Sequence, residues 1–271
     1  MTYLGTNSYL VGAGEVAVID PGPADEAHLG ALMAALAPGE RVGTILVTHP
    51  HLDHSAAAAA LAAATGAPVM GFGPAGSGLS VTMARLAAAG LRGAEGVDAG
   101  FRPDRLLADG DAVAVGEGRL VALHTPGHMG AHLCFAFGAT LFTGDLAMGW
   151  ASSLVSPPEG DMAAYMGSLA RLAAGRWDRL LPGHGPEVTA PTARLAELIA
   201  HRRQREAEVL AALAQAPGTA AELAQRIYRD TPPALLPAAA RNVLAHLIDL
   251  GERGLAVPAG DPGPAAVFHP A

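Results

Sequence analysis

The chain has 271 residues, enough for one large domain or for a medium and a small one, and it is 51% hydrophobic but only 4% aromatic, so it is a globular protein whose helices are built largely on alanine. Its formal net charge is −8 and all 17 of its basic residues are arginines, which excludes a bulk attraction to nucleic acid phosphates and leaves any such contact to a local patch. A single cysteine, Cys134, has no partner within the chain, the N-terminus lacks a basic segment followed by an apolar stretch, and no apolar run reaches membrane-spanning length; a cytoplasmic protein with no membrane partner is expected.

In chain order, SYLVGAGEVAVID (8–20) reads as two β-branched runs around a Gly-rich turn, a hairpin. HLGALMAALAPG reads as a helix stopped at Pro38 and Gly39. RVGTILVTH is a continuous apolar strand of the kind buried on both faces, and it delivers HPHLDH at its C-terminal end, with Ser55 as the expected cap of the next helix. Residues 73–100 are Gly-rich with one helical stretch, VTMARLAAAG, and read as a surface insertion near the site. Strands return in DRLLADGDAVAVGEGRLVALHTPGH and AHLCFAFGATLFTGD, and the helix DMAAYMGSLARLAAG leads into the short strand of WDRLLPGHGP. The pattern is α/β, with strands in two groups.

The character changes near residue 192. TARLAELIAHRRQREAEVLAALAQ is one long helical pattern, TAAELAQRIY a second and PAAARNVLAHLIDLGERG a third, with a small hairpin in LAVPAGDPGPAAVFHP; three helices and a hairpin match a winged-helix layout. We therefore expect two domains, 1–191 and 192–271. The second carries eight arginines against eight acidic residues, so it has no net charge with which to read DNA, and a packing or homodimer role is expected for it instead. Only HRRQR is locally basic, and a solvated helix face accounts for it.

Four donors within six positions, His49, His51, Asp53 and His54, are more than one tetrahedral ion takes from one turn, and N/O donors suit zinc and related divalent metals, with manganese or iron as alternatives. Two ions are implied. Three further donors follow apolar runs beside glycine, where the backbone turns sharply: His128 in HTPGH, Asp145 in FTGD and His184 in LPGHG. One ion would take His49, His51 and His128, the other Asp53, His54 and His184, with Asp145 between them, at the separation of about 3.5–4 Å found in two-metal hydrolytic sites. His124 and His132 are expected to pack as supports. Trp150, Ser152 and Ser153, in the loop after Asp145, are expected to line a substrate groove.

VIDPGP, THPHLDH, HTPGH, TGD and PGHG, in that order, resemble the metallo-β-lactamase superfamily over residues 3 to about 190. The resemblance implies an αββα sandwich with a dinuclear site, carries the ligand roles to the seven donors above, and gives Asp20 of VIDPGP a supporting hydrogen bond to a ligand histidine. The tail resembles the branch of lactamase-β-like proteins that carries a C-terminal winged helix. The function expected is that of a dinuclear zinc hydrolase in which a metal-bridging hydroxide, oriented by Asp53, attacks an ester, thioester, lactone or phosphodiester. Asp145 argues against a true β-lactamase, since lactamases of the superfamily generally lack that carboxylate. The substrate is then a small molecule or RNA, the latter because one member type of the branch is an endoribonuclease acting on single-stranded RNA. Two other readings rank lower. A di-iron oxidoreductase would show H-x-E-x-D where this chain has His51, and a non-enzymatic DNA-binding regulator fits poorly with a neutral tail and a complete donor set.

Overall fold

The computed structural model describes residues 5–93 and 96–271. The two-residue period of a strand sorts the apolar residues between cores: in β2 (Glu15–Ile19), Ala17 and Ile19 face one core while Val18 faces another. One sheet runs β1 (Tyr9–Val11), β2, β3 (Arg41–Leu46), β4 (Val69–Gly71), β5 (Arg105–Leu106), antiparallel at the opening hairpin and parallel from β2 onward. The other is formed by β6 (Ala112–Val115), β7 (Gly118–His124), β8 (Leu133–Phe137), β9 (Thr140–Gly144) and β10 (Arg179–Pro182), side by side in that order, antiparallel except for the β9–β10 pair.

The sheets pack face to face through Ile19, Leu46 and Met70 on one side and Leu120, Leu133, Phe135 and Phe142 on the other. Helices cover both outer faces. Alongside α2 (Leu52–Ser55), α1 (Glu26–Ala34) and α3 (Ala58–Thr65) place Leu32 and Leu61 on Val18, Val42 and Ile45. α5 (Met162–Ala173) sets Tyr165, Leu169 and Leu172 on Cys134, Leu141 and Leu180. The result is a four-layer αββα sandwich.

The tail holds α6 (Pro191–Gln215), α7 (Ala220–Ile227) and α8 (Leu236–Glu252), with β11 (Ala256–Pro258) and β12 (Phe268–Pro270) as an antiparallel pair. α6 serves two cores: Leu195 and Leu198 pack under the second sheet, while Val209, Ala212 and Leu213 pack with α7, α8 and Phe268. Thr219 and Glu222 form a capping box that starts α7. Among the described residues no helix is long and apolar enough to cross a membrane.

Two local expectations are corrected. α4 (Val81–Ala88), read as part of a surface insertion, buries Met83 and Leu86 in the tail core, because their three-residue spacing puts both on one helical face; residues 94–95 of that insertion lie outside the described residues. Ser55 lies inside α2 and caps no helix N-terminus: its hydroxyl donates to the His51 carbonyl and to Asp98.

Candidate metal centre

Each candidate donor follows the C-terminal end of a strand. β3 delivers His49 and His51 and leads into α2 with Asp53 and His54; the loop after β7 carries His128; Asp145 follows β9 and His184 follows β10. Gly183 gives the turn before His184 its close approach, since a Cβ there would lie 2.6 Å from both Asp145 Oδ1 and His54 Cε1. Gly144, at φ 46°, turns the chain into Asp145 where a side chain would strike His132 and Thr48.

Six of the seven donors converge in two triads, and Asp145 stands between them. In the first, His51 Nδ1 lies 2.9 Å from His49 Nε2 and 3.1 Å from His128 Nε2. In the second, His184 Nε2 lies 3.3 Å from His54 Nε2 and 3.2 Å from Asp53 Oδ2. Asp145 touches both: Oδ1 is 3.5 Å from His54 Nε2, and Oδ2 is 3.4 Å from His184 Nε2 and 3.8 Å from His128 Nε2.

Behind the ring nitrogens that face each other, four of the five histidines are held through the other nitrogen. His54 Nδ1–H donates to Asp20 Oδ2 at 2.9 Å, His184 Nδ1–H to the Gly5 carbonyl at 2.9 Å, and His128 Nδ1–H to the Leu154 carbonyl at 2.7 Å. His49 Nδ1–H donates at 3.0 Å to the Thr48 hydroxyl, which itself donates to Asp20. Each contact fixes the tautomer that leaves an Nε2 lone pair free toward the centre. Asp20 thus holds two rings, one directly and one through Thr48, from a buried position with φ 51°.

Burial lowers His49 and His51, the latter to about 3, so both imidazoles are neutral at pH 7. Burial also opposes the charged form of Asp145, but His54 and His184 hold its carboxyl well below the usual range. The same balance brings Asp53 down to about 2, mainly through its hydrogen bond from His184. His54, despite burial, is raised by Asp145 and Asp20, and His184 is raised to about 9 by Asp145 and Asp53.

The donor set fits divalent metal. In the first triad His49 Nε2 and His128 Nε2 both turn lone pairs toward His51 Nδ1, more acceptors than one ring N–H can satisfy, and Asp145 Oδ1 is buried with no hydrogen-bond partner. The neutral imidazoles of His49 and His51 and the ionised carboxylates of Asp53 and Asp145 are already in the state that metal binding requires, while His54 and His184 would release their protons to a bound ion.

Of the three residues expected at a substrate groove, Ser153 is corrected: it is buried, with its hydroxyl 3.1 Å from His128 Nδ1, behind the His128 ring. Trp150 is exposed and stands over Gly185, and Ser152 is half-buried. His132 and His124 are supports: His132 Nε2 accepts the Asp145 backbone N–H, and His124 stacks on Phe72. Thr48 and the Leu154 carbonyl carry no sequence signal, because their partners are 28 and 26 residues away. Arg202, on α6, did carry one: it stands four residues after Leu198 and seven before Val209, on the buried stripe.

Residues 1–184 match the family described as the metallo-beta-lactamase superfamily, and residues 219–264 match the beta-lactamase associated winged helix domain. A Drosophila melanogaster protein named beta-lactamase-like protein 2 homolog is 31% identical over 94% of this chain and 85% of its own. An atrochrysone carboxyl ACP thioesterase of Aspergillus fumigatus is 30% identical, over 86% and 71%. A hydroxyacylglutathione hydrolase of Anaeromyxobacter dehalogenans is 33% identical, over 79% and 77%. Among solved structures, a metallo-beta-lactamase family protein from Thermus thermophilus superimposes with a TM-score of 0.77 at 28% identity, covering 98% of this chain and 94% of that one.

Proposed function

The chain belongs to the metallo-beta-lactamase superfamily, and from that premise we propose that it is a dinuclear zinc hydrolase of small acyl substrates, cleaving an ester, thioester or lactone. That it is a hydrolytic enzyme with a His/Asp cluster able to bind metal follows from the family and its relatives. The observation that carries the dinuclear reading is Asp145, a buried carboxylate with one unpartnered oxygen set between two donor triads. Zinc suits the N-rich donor set; manganese or iron would be accommodated by the same ligands.

His49, His51 and His128 on one side and Asp53, His54 and His184 on the other, with Asp145 between them, would hold two divalent ions, which would supply Lewis acidity to activate water at neutral pH and polarise the scissile carbonyl. The chain's own groups do the rest. Asp53, ionised and partly exposed, is placed to accept a hydrogen bond from the nucleophile and orient it. Asp20, Thr48 and the Gly5 and Leu154 carbonyls hold four imidazoles in the liganding tautomer and prevent their rings from turning.

The acyl reading is favoured over a phosphodiester by where the tail's arginines point. Arg194, Arg226 and Arg229 donate to backbone carbonyls, Arg202 to a carbonyl and Asn242, Arg241 to Ser156, and Arg205 and Arg253 to carboxylates. That leaves Arg203 alone of the tail's arginines without a described partner, too little for a phosphate track. Two relatives also bear the names of acyl-cleaving enzymes. The test is turnover by zinc-loaded protein and its Asp53→Ala variant on a nitrophenyl ester, a thioester, a bis-nitrophenyl phosphodiester and a short single-stranded RNA. We expect ester and thioester hydrolysis that disappears in the variant; cleavage of RNA alone would make the enzyme an endoribonuclease instead.

A further inference from the structure

Arg202 is a fully buried guanidinium, and no carboxylate lies within ion-pairing distance of it among the described residues. Its Nε has no hydrogen-bond partner, and its guanidinium carbon sits 5.4 Å from the centre of the Tyr165 ring. For packing alone this is a costly choice, because an unpaired cation loses its hydration and a methionine or leucine would continue the stripe of Leu195, Leu198 and Val209. What the guanidinium does make is specific. Nη2 donates to the Ser153 carbonyl, and Nη1 donates at 3.2 Å to Asn242 Oδ1 on α8. The same Asn242 oxygen accepts the Val155 N–H at 3.0 Å. Two tail helices therefore grip the backbone on both sides of Leu154, and Leu154 is the residue whose carbonyl accepts from His128 Nδ1, with the Ser153 hydroxyl 3.1 Å from the same nitrogen.

We propose that Arg202 and Asn242 are positioning residues of the metal centre: the tail domain fixes Ser153–Val155 so that His128 presents Nε2 to the first triad. Resting on the dinuclear reading above, this gives the winged-helix domain a task inside the hydrolase, independent of nucleic acid. His49 is held within the sandwich through Thr48, whereas His128 is the first-triad donor whose outer nitrogen is tied to a segment that the tail grips.

The test is a zinc titration of chelator-stripped protein against a chromophoric chelator, with thermal unfolding of each metal-free variant measured in parallel. Wild-type protein should take up two equivalents. Arg202→Met should unfold at the wild-type temperature or above, since it removes an unpaired buried charge, yet bind one equivalent about 10–100-fold more weakly, the range typical for loss of a group that orients a ligand. Arg202→Lys, which keeps the charge but not the fork, should be weakened less, and Asn242→Ala should resemble Arg202→Met. In a His128→Ala background Arg202→Met should change nothing further. Should Arg202→Met fail to fold, Arg202→Lys and Asn242→Ala decide. Wild-type affinity for both equivalents in folded variants, or an effect that adds to that of His128→Ala, would overturn the proposal. Absence of metal uptake by the wild type would overturn the dinuclear reading along with it.

Discussion

Asp20 accepts two hydrogen bonds from Thr48, one from the backbone N–H and one from the hydroxyl, each 2.7 Å long. Through this pair a single carboxylate governs both triads, because Asp20 also takes the His54 Nδ1–H and Thr48 takes the His49 Nδ1–H. Asn at position 20 would tolerate the left-handed backbone at φ 51° but would lose the charge and one acceptor. Asp20→Asn is therefore expected to fold and to bind both metal equivalents more weakly, by about 10–100-fold. A metal titration beside a circular dichroism spectrum checks both halves of that statement.

Gly183 answers to space. Its missing Cβ would stand 2.6 Å from Asp145 Oδ1 and from His54 Cε1, so Gly183→Ala must push one of these two candidate donors, or the turn after β10, out of place. Overpacking of this kind costs about 1–3 kcal/mol. The expected result is a lower unfolding temperature with lost metal; Gly167→Ala, on α5 with open space around it, serves as the control and should lose neither.

His246 sets an acid limit on the tail. Burial, then the charges of Arg202, Arg253, His201 and Arg205, push it down to about 3, and neither ring nitrogen has a hydrogen-bond partner. Unfolding frees it to take a proton below its ordinary value near 6.5, so the stability of its neutral buried form is present at neutral pH and lost as pH falls from about 6.5 toward 3. Between pH 7 and pH 5 the loss from this group is about 2 kcal/mol. His246→Leu should remove that share while keeping the apolar surroundings of α8. Urea unfolding of metal-free wild type and variant at the two pH values measures it; an equal loss in both would show that His246 is not the source.

Much of the site could be read from the sequence because its donors are clustered or stand beside glycine at strand ends: HPHLDH, HTPGH, TGD and PGHG locate the two triads and the Asp145 between them. The supports were harder to read. Thr48 acts through Asp20, far away in the chain, and main-chain carbonyls such as that of Leu154 have no residue type to betray them. Arg202 was read as part of a solvated HRRQR face because its charge outweighed its place on the Leu195, Leu198, Val209 stripe; tertiary burial of a charged residue is visible only when its partners are. Residues 81–88 misled for a similar reason, since a short alanine-rich helix with two large apolar residues looks like surface until the tail core that receives Met83 and Leu86 is in place. Ser153 had the composition of a groove and the position of a support.

The most direct test of a dinuclear acyl hydrolase is to follow thioester turnover while zinc is added back to chelator-stripped protein, one fraction of an equivalent at a time. Turnover that is absent without metal and rises to saturate at two equivalents per chain is the predicted result. Turnover that persists in the stripped protein, or that never appears at two bound equivalents, would contradict it.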